Sequence, residues 1–249
     1  KNKVHWLRDA NMLPKKIPHA KISVFHYQSQ WFGRGSVDER IDNVASKLLH
    51  GLDRSRANET KTPIIFIAHC LGGIILEKAL LMSRSRQKDF PNVYPWIAGC
   101  FFLGTPFHGT SSQSKAMVLA SMAEVAGWAT PSTLLKVLEK DSEILRSLLT
   151  EFSFMARDAQ IRLLCFWEEN DSDLVNYLIK GITWVKSKER IVDQSSATIE
   201  SFDSLSLMAD HFNLNKYGLG PKDGNYTAVS DELRETAAKA DGIIKTRQN

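Results

Sequence analysis

At 249 residues and 28.1 kDa, the chain is long enough for one large domain with a buried core, or at most two small ones. Hydrophobic residues make up 43% and charged residues 24%, which is ordinary for a globular protein and excludes a disordered or fibrous class. The longest apolar run, residues 96–106, falls short of the roughly 18 residues that span a bilayer.

The net charge of +4 is unevenly placed: residues 1–110 carry 16 basic and 8 acidic side chains, residues 111–249 carry 16 and 20. Such a bias suits peripheral contact with an anionic membrane surface. No stretch is densely basic, so scattered solvated charge is the plainer reading. No zinc-ligand spacing, phosphate-binding loop or RNA-binding signature appears, so neither a metal, a cofactor nor a nucleic-acid partner is expected. Three cysteines, Cys70, Cys100 and Cys165, make no disulfide framework and point to a reducing, cytoplasmic setting. The opening Lys-Asn-Lys-Val-His-Trp has no signal-peptide pattern.

No repeat or linker divides the chain, so residues 1–249 are expected to form a single domain. Short apolar runs alternate with helical patterns, the mark of an α/β fold with a mainly parallel sheet. The first expected strand is Lys21–Tyr27. A helix over about 37–53 follows, with Ile41, Val44, Ala45, Leu48 and Leu49 on one face. Ser36 and Glu39 suit a capping box at its start. The run Pro63–Ala68 is apolar throughout, as in a strand buried on both faces. It leads into His69-Cys70-Leu71-Gly72-Gly73 and a helix over about 74–83. A strand at Trp96–Leu103 ends in Gly104-Thr105-Pro106. Residues 111–157 read as helical and sit where a cap would cover a site; helices packed on the sheet are the plainer alternative. Strands are expected at Ile161–Trp167 and Glu189–Asp193, and a last helix over about 228–244.

The segment Ala68-His69-Cys70-Leu71-Gly72-Gly73, between strand and helix, is a variant of the nucleophile elbow written G-x-S-x-G. The nucleophile of an elbow sits on a strained turn, and the positions two before and two after it must be small. Ala68 and Gly72 meet that demand. Cys70 stands where serine is usual. A thiol there can ionise beside a histidine at a helix N-terminus; a small buried hydrophobe in a degenerate elbow is the alternative. Chain order in α/β-hydrolases runs nucleophile, acid, histidine. His211 is therefore the candidate base, while His108 follows its strand too soon and His69 suits packing. Glu168, the first carboxylate after Phe166-Trp167, is the candidate acid, with Glu169 and Asp193 as rivals. The Leu71 N–H is the first oxyanion donor. A second normally comes from a His-Gly loop, and none lies upstream of Cys70.

These segments resemble the lipase-like serine esterase domain of fungal NOD-like receptors. The matching pieces include Trp6-Leu7-Arg8-Asp9, Phe66–Gly73, Phe102-Leu103-Gly104-Thr105-Pro106, Phe166-Trp167-Glu168, Ile191-Val192-Asp193 with Ser196-Ala197, and Asp210-His211 with Asn215-Lys216-Tyr217. The resemblance implies an α/β-hydrolase fold whose first strands lie upstream of this chain. It also implies a small-molecule or lipid acyl substrate, and an effector role in non-self recognition. The expected activity is hydrolysis or transfer of an acyl group from an ester, thioester or lipid through Cys70, His211 and Glu168. The alternatives are an inactive pseudo-lipase acting as an interaction module, or an esterase whose serine was replaced by cysteine. The sequence sets no oligomeric state.

Overall fold

The computed structural model describes residues 4–26, 37–58, 61–112, 115–120, 137–140, 142–173 and 188–248. Its sheet orders four parallel strands β1-β2-β3-β6: β1 (Ile64–His69), β2 (Ile97–Leu103), β3 (Arg162–Glu168) and β6 (Asp203–Leu207). Between β3 and β6 in sequence, β4 (Ser172–Asp173) and β5 (Lys188–Glu189) form a small antiparallel pair. The helices bounded among the described residues include α1 (Leu13–Lys16), α2 (Val37–Ser55), α3 (Leu71–Ser85), α4 (Glu143–Asp158), α5 (Gln194–Ala197) and α6 (Gly224–Gln248).

Side-chain alternation along β2 and β3 builds two core layers, because successive residues of a strand point to opposite faces. Cys100, Phe102, Leu163 and Cys165 face Leu76 and Leu80 of α3 and Phe152 and Met155 of α4. Phe101, Leu103, Leu164 and Phe166 face Tyr226, Val229 and Leu233 of α6. Every residue of β2 is buried, so it reads as a continuous apolar run. The chain is thus a mixed α/β fold with a parallel sheet flanked by helices.

Several sequence expectations shift. Residues 21–26 form no strand: they are largely exposed and have no ladder partner among the described residues. Their β-branched and aromatic content favours extended backbone, but a strand needs a neighbour. Strand β1 is only partly buried, since only β2 pairs with it among the described residues. The elbow helix begins at Leu71 rather than Ile74. Of the strand expected at Glu189–Asp193, only Glu189 is in a ladder, and Ile191 and Val192 instead occupy a buried bend. Strand β6 was not anticipated. The capping box at Ser36 and much of the expected cap, residues 121–136, lie outside the described residues.

Candidate active site

The C-terminal ends of the parallel strands converge, the usual place for a site in an open α/β sheet. After β1 the chain turns directly into α3, and Cys70 is the residue between them, with φ 54° and ψ −132°. A non-glycine residue in that region carries strain of about 1–3 kcal/mol. The turn is tied down from both sides: the Cys70 N–H donates to the Leu103 carbonyl at 2.9 Å, and the Gly73 N–H donates to the Cys70 carbonyl at 3.0 Å. Gly73 is needed because a Cβ there would lie 2.7 Å from the Cβ of Thr105. Leu71 is the first residue of α3, so no carbonyl within the helix takes its N–H, which remains available at the turn.

Glu168 is the last residue of β3, and its side chain is fully buried. Its Oε1 accepts the N–H groups of Ile191 at 2.6 Å and Val192 at 3.0 Å. Its Oε2 meets Nδ1 of His211 at 2.7 Å. All three neighbours donate, a set that a carboxylate accepts without conflict. His211 opens a short turn four residues beyond β6, and its ring is fully buried. The His211 N–H donates to Oγ of Ser172 at 3.2 Å, and its carbonyl accepts from Nε2 of His69 at 3.0 Å. Gly104, with φ 59°, lets the ring approach: a Cβ there would sit 3.1 Å from two of its atoms.

His211 therefore presents Nδ1 to Glu168 and leaves Nε2 on the other side. Nε2 is buried, and no hydrogen bond of ordinary geometry closes on it among the described residues. The Cys70 side chain is nevertheless its near neighbour. Burial alone would lower the His211 pKa, but the negative charge and hydrogen bonding of Cys70, then Glu168, raise it to about 10. His69 goes the other way: burial, then the His211 charge, lower it to about 3. It is a neutral ring that props the His211 backbone.

Cys70 is itself buried, within an apolar cluster that includes Ile41, Leu119, Val137, Leu138 and Phe212. The other two thiols lie deeper in the sheet. Burial pushes Cys100 far up and Cys165 up to about 12. All three cysteines are free.

Of the residues singled out from sequence, Cys70, His211, Glu168 and Leu71 come together. Glu169 is exposed on the outer side of the strand end. Asp193 turns away from His211 to Lys115 and Ser111. The backbone donors of Ile191 and Val192 and the Ser172 and His69 props were not foreseen. No group of three or more metal-ligating side chains forms among the described residues. No helix among them is long and apolar enough to cross a membrane.

No protein-family model matches the chain. It is similar to Protein SERAC1 of Danio rerio, 25% identical over 210 residues, which cover 82% of this chain and 29% of that protein. The chain thus spans less than a third of the length of that curated relative. Among solved structures, the mature Bacillus licheniformis lipase BlEst2 superposes with a TM-score of 0.52 at 15% identity, over 80% of this chain and 74% of that one. Phospholipase PlaB from Legionella pneumophila does so with 0.51 at 13%, over 92% and 59%. Likeness at these identities lies in the backbone, and with the parallel sheet and the elbow already described it makes this chain an α/β-hydrolase fold.

Proposed function

We propose that this chain is an acyl hydrolase or acyltransferase acting on an ester, thioester or lipid through Cys70, His211 and Glu168. The observation that carries the reading is the 2.7 Å contact between Nδ1 of His211 and Oε2 of Glu168, both fully buried, with the ring against the elbow thiol. A nucleophile, a base and an orienting acid in that sequence are the parts acyl transfer requires.

In the first half-reaction the Cys70 sulfur attacks the acyl carbonyl carbon while its proton, already held on Nε2 of His211 as the raised pKa of that ring favours, stays there. The Leu71 N–H faces the developing oxyanion, with the positive end of α3 behind it. Glu168 holds the ring with Nδ1–H inward and stabilises the imidazolium. Collapse breaks the bond to the leaving group, which takes the proton from His211. A thioester on Cys70 remains. Water or another nucleophile then attacks it, and His211 accepts and returns a proton in the same way. The apolar cluster around Cys70 suits an acyl chain rather than a charged substrate.

Selective alkylation tests the reading. With iodoacetamide at neutral pH, Cys70 is expected to react faster than Cys100 and Cys165. Equal rates at all three would defeat it.

A second reading has its own support. Cys70 is only 6% exposed and stands where an elbow usually carries serine. A pseudoenzyme used as an interaction module would look the same. It predicts that Cys70→Ser hydrolyses no short acyl ester, whereas the acyl-transfer reading predicts measurable turnover. The motif resemblance extends either reading to a cytoplasmic effector domain within a fungal receptor, with peripheral membrane contact. Loss of a cell-death response with Cys70→Ala in the full-length polypeptide would support the enzymatic version of that role.

A further inference from the structure

The carboxylate of Asp193 and the ammonium of Lys115 form an ion pair outside the proposed relay. Nζ of Lys115 lies 3.0 Å from Oδ1 and 3.2 Å from Oδ2 of Asp193, and 3.1 Å from Oγ of Ser111. Oγ of Ser111 in turn donates to Oδ2 at 2.7 Å. Oε1 of Glu189 stands 4.0 Å from the same ammonium. The Lys115 side chain is only 4% exposed, that of Asp193 36%. A lysine so deeply buried gives up most of its hydration.

Asp193 directly follows the two residues whose N–H groups hold Glu168. It also begins α5, its carbonyl accepting from Ser196 at 2.8 Å and Ala197 at 2.9 Å. Ser196 is bonded to the loop after β2 through its hydroxyl, which donates to the Gly109 carbonyl, and its carbonyl, which accepts from Phe107 at 2.9 Å. The bend at 190–193 is therefore a strap across the end of β3. Helix α5 fixes its far end, and Lys115 fixes the corner next to the Glu168 donors.

We propose that Lys115 and Asp193 are positioning residues: their ion pair sets the strap that aims Glu168 at Nδ1 of His211. This rests on the acid role proposed for Glu168. Lys115 also lies in the helical segment 115–120, whose Ala116, Val118, Leu119 and Ala120 pack in the cluster around Cys70. The pair therefore couples the walls of the acyl site to the orientation of the acid. A purely structural ion pair predicts something else. Removing one partner of a buried ion pair leaves the other charge uncompensated and destabilises the fold, so a purely structural pair would show its loss in Tm and leave the His211 resonance and kcat of the folded protein unchanged.

The test compares Lys115→Met and Asp193→Asn with the parent and with Arg84→Met, which removes an exposed ion pair to Asp158. Two readouts are taken. One is the far-downfield proton resonance of the Nδ1–H of His211. The other is kcat and KM for a short-chain p-nitrophenyl ester. We expect both strap variants to shift or broaden the resonance and to lower kcat about tenfold to a hundredfold with KM within about twofold, the scale of a small misplacement at a reacting group. Arg84→Met should change neither. An unaltered resonance and kcat in both folded strap variants would overturn the proposal. Should Lys115→Met fail to fold, Asp193→Asn decides, because it preserves the strap's shape while removing the charge. If the parent hydrolyses no ester, the acyl-transfer reading fails, and the resonance still decides whether the pair positions Glu168.

Discussion

Glu168→Gln isolates the part of the site that geometry defines best. In the parent, Oε1 accepts from Ile191 and Val192, and Oε2 meets Nδ1 of His211. A glutamine has one oxygen and one NH2 in the same places. Turned with its oxygen to the strap, it keeps both backbone hydrogen bonds and points N–H at Nδ1. The neutral ring must then carry its proton on Nε2, which can no longer accept one from Cys70. Turned the other way, the NH2 group faces two backbone donors, at a cost of about 1–3 kcal/mol for each buried group left unpaired. The first arrangement therefore wins. The fold survives while the ring holds the wrong tautomer. For a relay of this type the expected loss in kcat is about 10³–10⁴-fold, ~4–5 kcal/mol of barrier. Steady-state hydrolysis of a short acyl ester measures it, with circular dichroism confirming the fold. A loss smaller than about tenfold in a folded protein would refute the claim that Glu168 sets the tautomer.

The titrations of the two buried histidines should shape stability from both sides. The His211 pKa is raised to about 10, so its contribution is complete below the unfolded value near 6.5 and fades as pH rises from there through about 10. Cys70→Ala, which removes the largest raising influence, should flatten that alkaline decline in Tm. His69 is held neutral with a pKa lowered to about 3, so its contribution is present above about 6.5 and fades as pH falls toward 3. His69→Gln should flatten the acid limb; an unchanged Tm profile in either variant would contradict the assignment. Glu77 is buried in α3 with Oε1 unpartnered among the described residues, and burial raises its pKa. Glu77→Met should raise stability at pH 8 by about 1–3 kcal/mol in urea unfolding, since it removes an unsatisfied buried group. Gly104→Ala places a Cβ 2.6 Å from Leu214 and 3.1 Å from the His211 ring at a positive φ, so it should lower both Tm and kcat.

The elbow was legible in the sequence because its requirements are local. Small residues at Ala68 and Gly72, an apolar run before and a helical pattern after are all nearest-neighbour features. The candidate base was legible from chain order alone. Glu168 was the candidate acid from its place directly after Phe166-Trp167, but Glu169 and Asp193 have the same chemistry, and the choice among the three depends on where β3 ends. Glu168 is its last residue and points inward; Glu169 points out. Asp193 is claimed by Lys115, 78 positions away in sequence, a contact that no local pattern announces. The same non-locality explains two of the three strand differences. Residues 21–26 have strand-like side chains but pair with no strand among the described residues, while Asp203-Ser204-Leu205-Ser206-Leu207 has only two apolar residues and is held in the sheet by its ladder to β3. Pairing, rather than propensity, decided both.

The central claim is that Cys70 takes an acyl group while His211 and Glu168 manage the proton. The direct measurement is mass spectrometry of the protein quenched in acid shortly after mixing with a short-chain p-nitrophenyl ester. The account predicts one acyl adduct, located on the peptide containing Cys70, with neither Cys100 nor Cys165 modified. It also predicts that Glu168→Gln forms the adduct more slowly and Cys70→Ala not at all. An unmodified Cys70 in a protein that still turns over the ester, or turnover that persists in Cys70→Ala, would contradict it.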